Sequence, residues 1–460
     1  MNERELRALL ERGMDGVAGW EAGWPAFAID SSLAIPFERA AAAIDELAGR
    51  LRDNYPFFHP QYAGQMLKPP HPVALAAYAM TMRINPNNHA LDGGPATAAL
   101  ERESVAQLAA MFGYGGDHLG HLTSSGTIAN LEALWVATQL RPGTSIAYSA
   151  GAHYTHARMC GVLGVPSIAI PVDARGRMNV AALSDAADSA NVGTVVVTAG
   201  ATASGAVDPV HELVALAARR GWRVHADAAY GGFFRIIADV PEAHMDPAPW
   251  RALAACDSIV VDPHKHGLQP YGCGCVLFRD ASVGSLYKHE SPYPYFTSKA
   301  LHLGEISLEC SRAGASAAAL WATLRCLPLS ANGLGRVLLA TRTAALIACA
   351  SARDGGVLQP VVEPELDIFS AAPVTVGSRA TASATSARTQ AVFEELGNDP
   401  NDPLYLAVWH VSAEFGRLAM PYIDWDRDDC AVLRSVLMKP EHKDRAAGIV
   451  ARIVAAVKRL

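Results

Sequence analysis

Short segments rich in β-branched residues alternate with helical segments through the middle of this 460-residue chain. The strand-like segments are residues 145–149, 167–171, 194–198, 223–227, 258–261 and 274–278. Helical stretches lie between several of them, and two more helices, residues 95–112 and 127–140, precede the first. This alternation predicts an α/β fold with an open, mainly parallel sheet that is covered by helices on both faces. Such a sheet places its ligand at the carboxyl ends of the strands.

The composition changes at both ends of the alternating region, so the chain is expected to have three parts. Residues 1–85 combine helical stretches with proline-rich connections such as 55–60 and 68–72. These prolines force an extended path of the backbone. The segment is therefore predicted to be an N-terminal arm that packs on another surface. Residues 86–328 carry the alternating pattern of a large domain. Residues 329–460 mix helices with short strands and predict a smaller C-terminal α+β domain.

The overall composition excludes several classes of function. Half of the residues are hydrophobic and 18% are charged, which is typical of a compact globular protein. The net charge of -7 provides no basic surface for nucleic acid or an anionic membrane. The N-terminus lacks the apolar core of a signal peptide, and eight scattered cysteines fit a reducing compartment. We therefore expect a cytoplasmic protein with neither a nucleic-acid nor a membrane partner.

A lysine follows directly after one predicted strand, in the segment Asp262-Pro263-His264-Lys265. An unpaired ammonium in an apolar setting is costly, and a pocket that desolvates a lysine frees its amine to act as a nucleophile. Taken alone, this segment is better explained by a lysine in an exposed turn. Polar residues at the ends of the other predicted strands favour a catalytic role for this lysine instead.

Hydroxyl residues and a glycine stand where the predicted helix 127–140 begins, in the order Ser124-Ser125-Gly126-Thr127. Free backbone N–H groups, side-chain donors and the positive end of the helix dipole converge at such a helix start. The pattern therefore indicates an anion site. Ordinary N-capping by serine or threonine is the alternative.

Asp227 ends the predicted strand 223–227 and is flanked by alanine and glycine residues, which would let a flat ring approach closely. A nearby anion raises the pKa of a pyridine nitrogen and so keeps it protonated. A helix cap or a buried salt bridge explains a carboxylate at this position equally well. His153 follows the first strand and is a candidate to stack on an aromatic cofactor, although a lone histidine is more often structural.

Three more histidines, His118, His121 and His156, suggest the spacing of a metal site. No carboxylate or thiolate completes a ligand set with them, so we expect no metal. A phosphate cradle, a ring-stacking imidazole, a pyridinium partner and a desolvated lysine, in that order on one sheet, together describe a pyridoxal-phosphate site.

The sequence resembles the group II pyridoxal-phosphate decarboxylases, whose members act on glutamate, tyrosine and other aromatic amino acids. The resemblance covers about residues 55–335. It is carried by His153 and by residues 123–130, 198–202, 225–232 and 257–265. A likeness to bacterial tyrosine decarboxylases and their archaeal relatives is carried by residues 85–90, 93–94, 270–271, 308–314 and 319–321.

The resemblance implies the pyridoxal-phosphate-dependent fold type I, which is aspartate aminotransferase-like, and a homodimer with shared active sites. It implies Lys265 as the Schiff-base lysine, Asp227 as the pyridinium partner and His153 as the stacking imidazole. The remaining implied cofactor contacts are Ser125, Gly126, Thr127 and His264 at the phosphate, Thr202 and Ala229 beside the ring, and Ser311 reaching the phosphate of a partner subunit. The chain departs from the family pattern at Cys310, where a glycine is usual beside Ser311. It is also shorter than bacterial tyrosine decarboxylases, mainly at the C-terminus, and this difference bears on the substrate inference.

The implied reaction is decarboxylation of an L-amino acid to an amine and CO2. An aromatic substrate is favoured, because several aromatic and histidine residues could wall a side-chain pocket or else pack the arm: Phe57, Phe58, His59, Tyr62 and His89. A decarboxylase of acidic or small amino acids is the alternative. An acidic substrate would need another cation, for which Arg312 is the candidate, although Arg312 can also form a structural ion pair.

A proton must return to the substrate after CO2 leaves, and three residues are candidates to supply it: His153, Tyr293 and Tyr295. The two tyrosines lie in a long aromatic loop, residues 280–304, that is interpreted as a lid. Their alternative role is to pack this loop against the partner subunit. Two other functions compete on the same scaffold, an aldehyde-forming decarboxylation-oxidase and a non-catalytic binding protein.

Overall fold

The structure is a computed structural model that describes residues 1–288, 303–374, 377 and 379–460. Its helices are α1 (Glu3–Glu21), α2 (Phe37–Arg50), α3 (Pro72–Met82), α4 (Pro95–Phe112), α5 (Gly126–Leu140), α6 (Thr155–Leu163), α7 (Val180–Ala187), α8 (Val210–Arg220), α9 (Ala248–Ala252), α10 (Gly314–Cys326), α11 (Gly335–Gly355), α12 (Ala382–Gly397), α13 (Ala413–Ala419) and α14 (His442–Arg459). Its strands are β1 (Leu119–Thr123), β2 (Ser145–Ser149), β3 (Ser167–Ile170), β4 (Val192–Thr198), β5 (Arg223–Asp227), β6 (Ser258–Val261), β7 (Gly274–Phe278), β8 (Leu358–Pro360), β9 (Ile368–Pro373), β10 (Ala380–Thr381), β11 (Ala407–Ser412), β12 (Ile423–Asp424) and β13 (Asp429–Val436).

A seven-stranded sheet with the order β1-β7-β6-β5-β4-β2-β3 forms the centre of the molecule. The strands from β6 to β3 run parallel, whereas β7 is antiparallel to both β6 and β1. Every residue of β4, β6 and β7 is buried, as expected for strands covered by helices on both faces. The expected mainly parallel α/β sheet is confirmed.

Helices of the large domain present apolar faces to this sheet. In α8, Val210, Leu213 and Leu216 are buried, while the last turn carries exposed arginines that suit the negative end of the helix dipole. Gly221 ends α8 in the left-handed conformation with φ of 69°, a backbone geometry that glycine adopts without strain. The helix therefore stops where β5 must begin.

A second, four-stranded antiparallel sheet with the order β11-β13-β9-β8 lies in the C-terminal part of the chain. Helices α11, α12 and α14 cover it with a core of alanine, valine, leucine and isoleucine side chains. Among the described residues, α11 alone is long and apolar enough to cross a membrane, but half of that stretch is buried inside the protein and α11 packs against α14.

The first two helices of the N-terminal segment differ in how they pack. Helix α1 packs against α3, whereas α2 buries none of its residues. The apolar side chains Phe37, Ile44, Leu47 and Leu51 are spaced by seven, three and four residues, which places them on one helix face, and all four are exposed. An isolated helix of this length is marginal in water, so α2 requires a packing partner.

Candidate active site

One cavity of about 240 Å³ opens at the carboxyl ends of β4, β5 and β6, beside the N-terminus of α5. Its position is the one that the mainly parallel topology predicts for a ligand site. The lining residues are Ser125, Gly126, Thr127, Asn130, His153, Tyr154, Thr155, Thr198, Gly200, Thr202, Asp227, Ala229, Tyr230, Asp262, His264 and Lys265. The structure thus brings together residues from all four motifs that the sequence singled out.

Lys265 reaches this cavity from the turn that follows β6. Its Nζ lies 3.0 Å from Oδ2 of Asp262, and its side chain is 22% exposed. Asp262 is almost fully buried, and its Oδ1 has no hydrogen-bond partner among the described residues. A buried carboxylate thus pairs with the ammonium group of Lys265, and this ion pair offsets the free-energy cost of removing the ammonium group from water. The lysine does not lie in an exposed turn.

Asp227 ends β5 with its carboxylate in the cavity and both oxygens held by donors. Oδ1 accepts the backbone N–H of Ala229 at 3.1 Å, and Oδ2 lies 2.8 Å from Nε2 of His156. Burial would raise the pKa of Asp227, but the His156 hydrogen bond and the charge of Lys265 outweigh burial and hold that pKa well below its ordinary range. Asp227 is therefore a permanent anion at neutral pH.

The N-terminus of α5 also lines the cavity, next to Asp262. Ser125 caps the helix by accepting the N–H of Ile128 at 3.3 Å. Gly126 sits so close to Asp262 that a Cβ atom there would lie 2.4 Å from its Oδ2. Asn130 donates to the Gly126 carbonyl at 2.8 Å and fixes this first turn. Free N–H groups at the start of α5 therefore line the cavity and can bind an anion.

His264 lines the cavity near Asp262. Its Nδ1 donates to the Cys273 carbonyl at 2.8 Å, and its Nε2 lies 3.5 Å from Asp262 Oδ2. Burial lowers the pKa of His264. The ring is thus fixed in orientation by the backbone of the chain segment that leads into β7.

His153 begins the turn before α6 and lines the cavity with Tyr154. Its Nδ1 accepts the backbone N–H of Thr155 at 3.2 Å, and its ring centroid lies 4.2 Å from that of Tyr154. Burial lowers the pKa of His153, which favours the neutral imidazole. The guanidinium of Arg158 lies 4.6 Å from the Tyr154 ring centroid, so the tyrosine ring is itself held in place.

A residue of the C-terminal sheet supports the wall of the cavity that Thr202 forms. Arg434 lies in β13, is buried, and donates to the backbone carbonyls of Thr202 and Ala203, the latter at 2.9 Å. The buried hydroxyl of Thr198, on the same wall, has no partner among the described residues. The small domain therefore helps to shape the cavity of the large one.

Two sequence candidates near residue 311 lie outside this cavity. Ser311 Oγ accepts from Asn87 Nδ2 at 3.1 Å. Arg312 is 7% exposed, pairs with Glu101 at 2.7 Å and donates to the Leu122 carbonyl at 2.6 Å, which is the structural ion pair left open above. Both residues line a separate cavity of about 180 Å³ together with Ser124.

The other substrate and proton-transfer candidates do not meet in the cavity of the described chain. His59 Nδ1 accepts the backbone N–H of Gln61 at 3.2 Å within the arm. His89 Nδ1 lies 3.1 Å from the Cys310 carbonyl. Neither histidine is among the lining residues. Tyr293 and Tyr295 lie outside the described residues.

Three site residues were not predicted from the sequence. Asp262 was treated only as part of the lysine segment, and His156 only as an incomplete metal site. His225 is buried, with Nε2 2.8 Å from Asn130 Oδ1 and Nδ1 2.9 Å from Ser258 Oγ, and burial lowers its pKa to about 3. The contacts of His156 and His225 join segments that are distant in sequence, so spacing alone carried no signal for them.

The comparisons with known proteins point in one direction. A model described as the pyridoxal-dependent decarboxylase conserved domain matches residues 54–338. The probable L-tyrosine/L-aspartate decarboxylase of Methanoculleus marisnigri is 36% identical over 265 residues, which cover 57% of this chain and 68% of the relative. The L-tyrosine decarboxylase of Enterococcus faecium is 27% identical over 447 residues, covering 74% and 73%. The solved structure of Oryza sativa TDC with PLP and tryptamine matches with a TM-score of 0.77 and 18% identity, covering 99% of this chain and 98% of that one.

Proposed function

The chain belongs to the pyridoxal-dependent decarboxylase family, and we propose that it converts an aromatic L-amino acid to its amine and CO2 at the cavity around Lys265. Its membership makes it a carboxy-lyase that acts on an amino acid with pyridoxal 5'-phosphate as cofactor. The aromatic substrate, the roles of single residues and the subunit arrangement are our proposals.

The residues that line the cavity fit this cofactor. The observation that carries the assignment is that Lys265, the buried anion Asp227 and the N-terminus of α5 all line one cavity. The aldehyde of the cofactor requires an amine, which Lys265 provides. Its protonated ring nitrogen requires an anion such as Asp227, and its phosphate requires N–H donors such as those at the start of α5. A Cβ atom at position 126 would meet the Asp262 carboxylate, so only glycine leaves this cradle intact.

Each residue then has a defined task. When bound, the cofactor supplies the electron sink that takes up the electrons of the breaking bond between Cα and the carboxylate. Lys265 would hold the cofactor through Nζ, and Asp227 would keep a proton on the ring nitrogen. Ser125, Gly126, Thr127 and His264 would hold the phosphate. Thr202 and Ala229 would contact the ring, and His153 would stack on it.

Three residues are candidates to return a proton to Cα of the substrate after CO2 leaves. His153 is the described candidate, because it lines the cavity and its Nδ1 accepts from Thr155, which leaves Nε2 to carry a proton. Tyr293 and Tyr295 remain candidates from the loop that lies outside the described residues.

The charge inside the cavity supports an aromatic substrate. Lys265 is the one lysine or arginine among the described lining residues, and it already partners Asp262. Arg312 partners Glu101 outside the cavity. A substrate with a second carboxylate would find no unpaired lysine or arginine among the described lining residues, and burying an unpaired carboxylate is costly. The Enterococcus faecium relative named for tyrosine agrees with this choice, and the name of the archaeal relative keeps aspartate as the alternative.

We also propose a cytoplasmic homodimer with shared sites, divided into an arm of residues 1–85, a large domain of residues 86–328 and a small domain of residues 329–460. The exposed apolar face of α2 supports an arm that packs on a partner subunit. The position of Ser311 outside the cavity of its own protomer leaves it available to the partner's phosphate site. All eight cysteines lie in described parts of the chain and are unpaired, as a reducing compartment favours.

A substrate screen tests the proposed function. The holoenzyme is incubated separately with each of the twenty amino acids, and release of CO2 and amine is measured. We expect kcat/KM for L-tyrosine, L-phenylalanine or L-tryptophan to exceed that for L-aspartate and L-glutamate by about a hundred-fold, because an unpaired buried carboxylate costs several kcal/mol. A preference for an acidic or small amino acid would contradict the proposal. Aldehyde with ammonia and peroxide would instead assign the oxidase reaction.

A further inference from the structure

We propose that His156 is a positioning residue that acts through Asp227, by fixing the carboxylate toward the ring nitrogen of the cofactor. This inference rests on the proposed role of Asp227. His156 itself lies outside the cavity lining.

His156 lies in the first turn of α6 and is completely buried. Its Nε2 is 2.8 Å from Oδ2 of Asp227, while Oδ1 of the same carboxylate accepts the Ala229 N–H. Each oxygen therefore has one fixed donor from the protein. Two donors on different oxygens prevent rotation of the carboxylate and leave its remaining lone pairs for a ligand in the cavity.

The direction of the hydrogen bond between His156 and Asp227 follows from the carboxylate. An ionised carboxylate only accepts hydrogen bonds, so Nε2 of His156 is the donor to Asp227. Nδ1 of His156 is buried and has no partner among the described residues. Nε2 is therefore the atom through which His156 acts on Asp227.

The other rings around His156 do not compete for it. Tyr148 and His225 have ring centroids 6.1 and 6.4 Å from that of His156. His225 is engaged by Asn130 and Ser258 on its two nitrogens. Asp227 is thus the polar partner toward which His156 is aimed, and the pair forms one unit that joins α6 to the end of β5.

The consequence concerns a single atom of the cofactor. A carboxylate held ionised and correctly oriented stabilises a protonated ring nitrogen, and it does nothing comparable for a ring that lacks that nitrogen. If His156 only supported the packing of α6, its replacement would lower the affinity of the cavity for every ligand by the same factor. A cofactor analogue therefore separates a positioning role from a structural one.

The test uses two substitutions of the same chemistry and different reach. In His156→Gln the side-chain amide nitrogen stands as many bonds from the backbone as Nε2, so it retains the donor to Asp227. In His156→Asn the amide is one bond shorter and loses that contact. Apoenzyme of each variant is titrated with pyridoxal phosphate and with its carbocyclic analogue, in which C–H replaces the ring nitrogen, and tryptophan fluorescence gives each Kd.

We expect His156→Asn to raise the Kd of pyridoxal phosphate about ten-fold, the loss of one hydrogen bond to a charged group, and to leave the Kd of the analogue unchanged. His156→Gln should restore most of the affinity for pyridoxal phosphate. Equal weakening of both ligands by His156→Asn, or of neither, would overturn the proposal. Thermal unfolding of each apoenzyme checks folding, and His156→Leu replaces His156→Asn if the latter does not fold.

The same titration with Asp227→Asn separates this inference from the function on which it rests. A selective loss of affinity for pyridoxal phosphate supports the proposed role of Asp227. If Asp227→Asn weakens both ligands equally, the role of Asp227 fails and the inference fails with it. If Asp227→Asn is selective and His156→Asn is not, only the role of His156 is wrong. No amino acid substrate enters the experiment, so an error in the substrate class does not affect it.

Discussion

Nε2 of His266 lies 2.8 Å from Oδ2 of Asp367, and this contact ties the lysine turn to the segment that leads into β9 of the small domain. His266 follows Lys265 directly, its Nδ1 donates to the Tyr230 carbonyl at 3.0 Å, and the hydroxyl of Tyr230 donates to the other oxygen of Asp367 at 2.6 Å. Both members of the His266–Asp367 pair are completely buried. The position of Lys265 therefore depends on a carboxylate that lies about a hundred residues further along the chain.

Replacing this carboxylate should change the pH dependence of stability. Burial would raise the pKa of Asp367. The charge of His266, together with the hydrogen bonds from His266 and Tyr230, outweighs burial and lowers this pKa below its ordinary value. The stabilisation is then complete above the pKa of an unfolded aspartate, about 4, and is lost as the pH falls below it. We expect Asp367→Asn to cost about 2 kcal/mol at neutral pH and to lose less stability than the unmodified protein between about pH 5 and 3 in urea unfolding. Parallel pH profiles would contradict this account.

Gly126→Ala should disrupt the phosphate end of the site. The added Cβ would lie 2.4 Å from the Asp262 carboxylate, so either α5 or Asp262 must move. We expect the Kd of pyridoxal phosphate, measured by titration of the apoenzyme, to rise at least about ten-fold. Gly161→Ala in α6 is the matched control, because nothing lies within 4 Å of a Cβ there and alanine favours a helix. An unchanged Kd in Gly126→Ala would show that the start of α5 does not bind the cofactor.

Arg434→Met tests the support that the small domain gives to the cavity wall. The substitution leaves the carbonyls of Thr202 and Ala203 without their buried donor, so we expect a loss of about 2–3 kcal/mol in the free energy of unfolding and weaker cofactor binding. The control is Arg427→Met, which removes a half-exposed ion pair with Asp429 and should cost less than about 1 kcal/mol. Similar costs for the two substitutions would argue against a special role for Arg434.

The proposed homodimer is expected to form through the exposed apolar face of α2. Leu47→Lys places a charge in the row formed by Phe37, Ile44 and Leu51, so light scattering after size exclusion should show a shift from dimer toward monomer. Ala42→Lys lies on the opposite side of the helix and should leave the dimer intact. A dimer that is insensitive to Leu47→Lys would exclude this face from the interface.

Much of the fold could be predicted because it depends on local pattern. The strands β2 to β7 coincide with segments predicted from the sequence, whereas β1 (Leu119–Thr123) was not predicted. This strand forms at the sheet edge by pairing with β7, and that pairing is a tertiary contact.

The site was predictable only in part, for the same physical reason. Lys265, Asp227 and the start of α5 were found because strand ends of a parallel sheet meet at one edge. The partners that set their charge and orientation were not found, because His156 approaches Asp227 from a helix and Asp367 approaches His266 from the small domain. Such contacts depend on packing and leave no periodic signal in the sequence.

The most direct measurement of the central claim is peptide mapping of the holoenzyme after reduction with borohydride. We predict a single reduced cofactor adduct on Lys265, with loss of both the adduct and the decarboxylase activity in Lys265→Ala. Two other lysines near the small domain, Lys68 and Lys439, have pKa values lowered by burial to about 8 and serve as internal controls that should remain unlabelled. An adduct on either of them, or an adduct that persists in Lys265→Ala, would contradict the assignment of the active site.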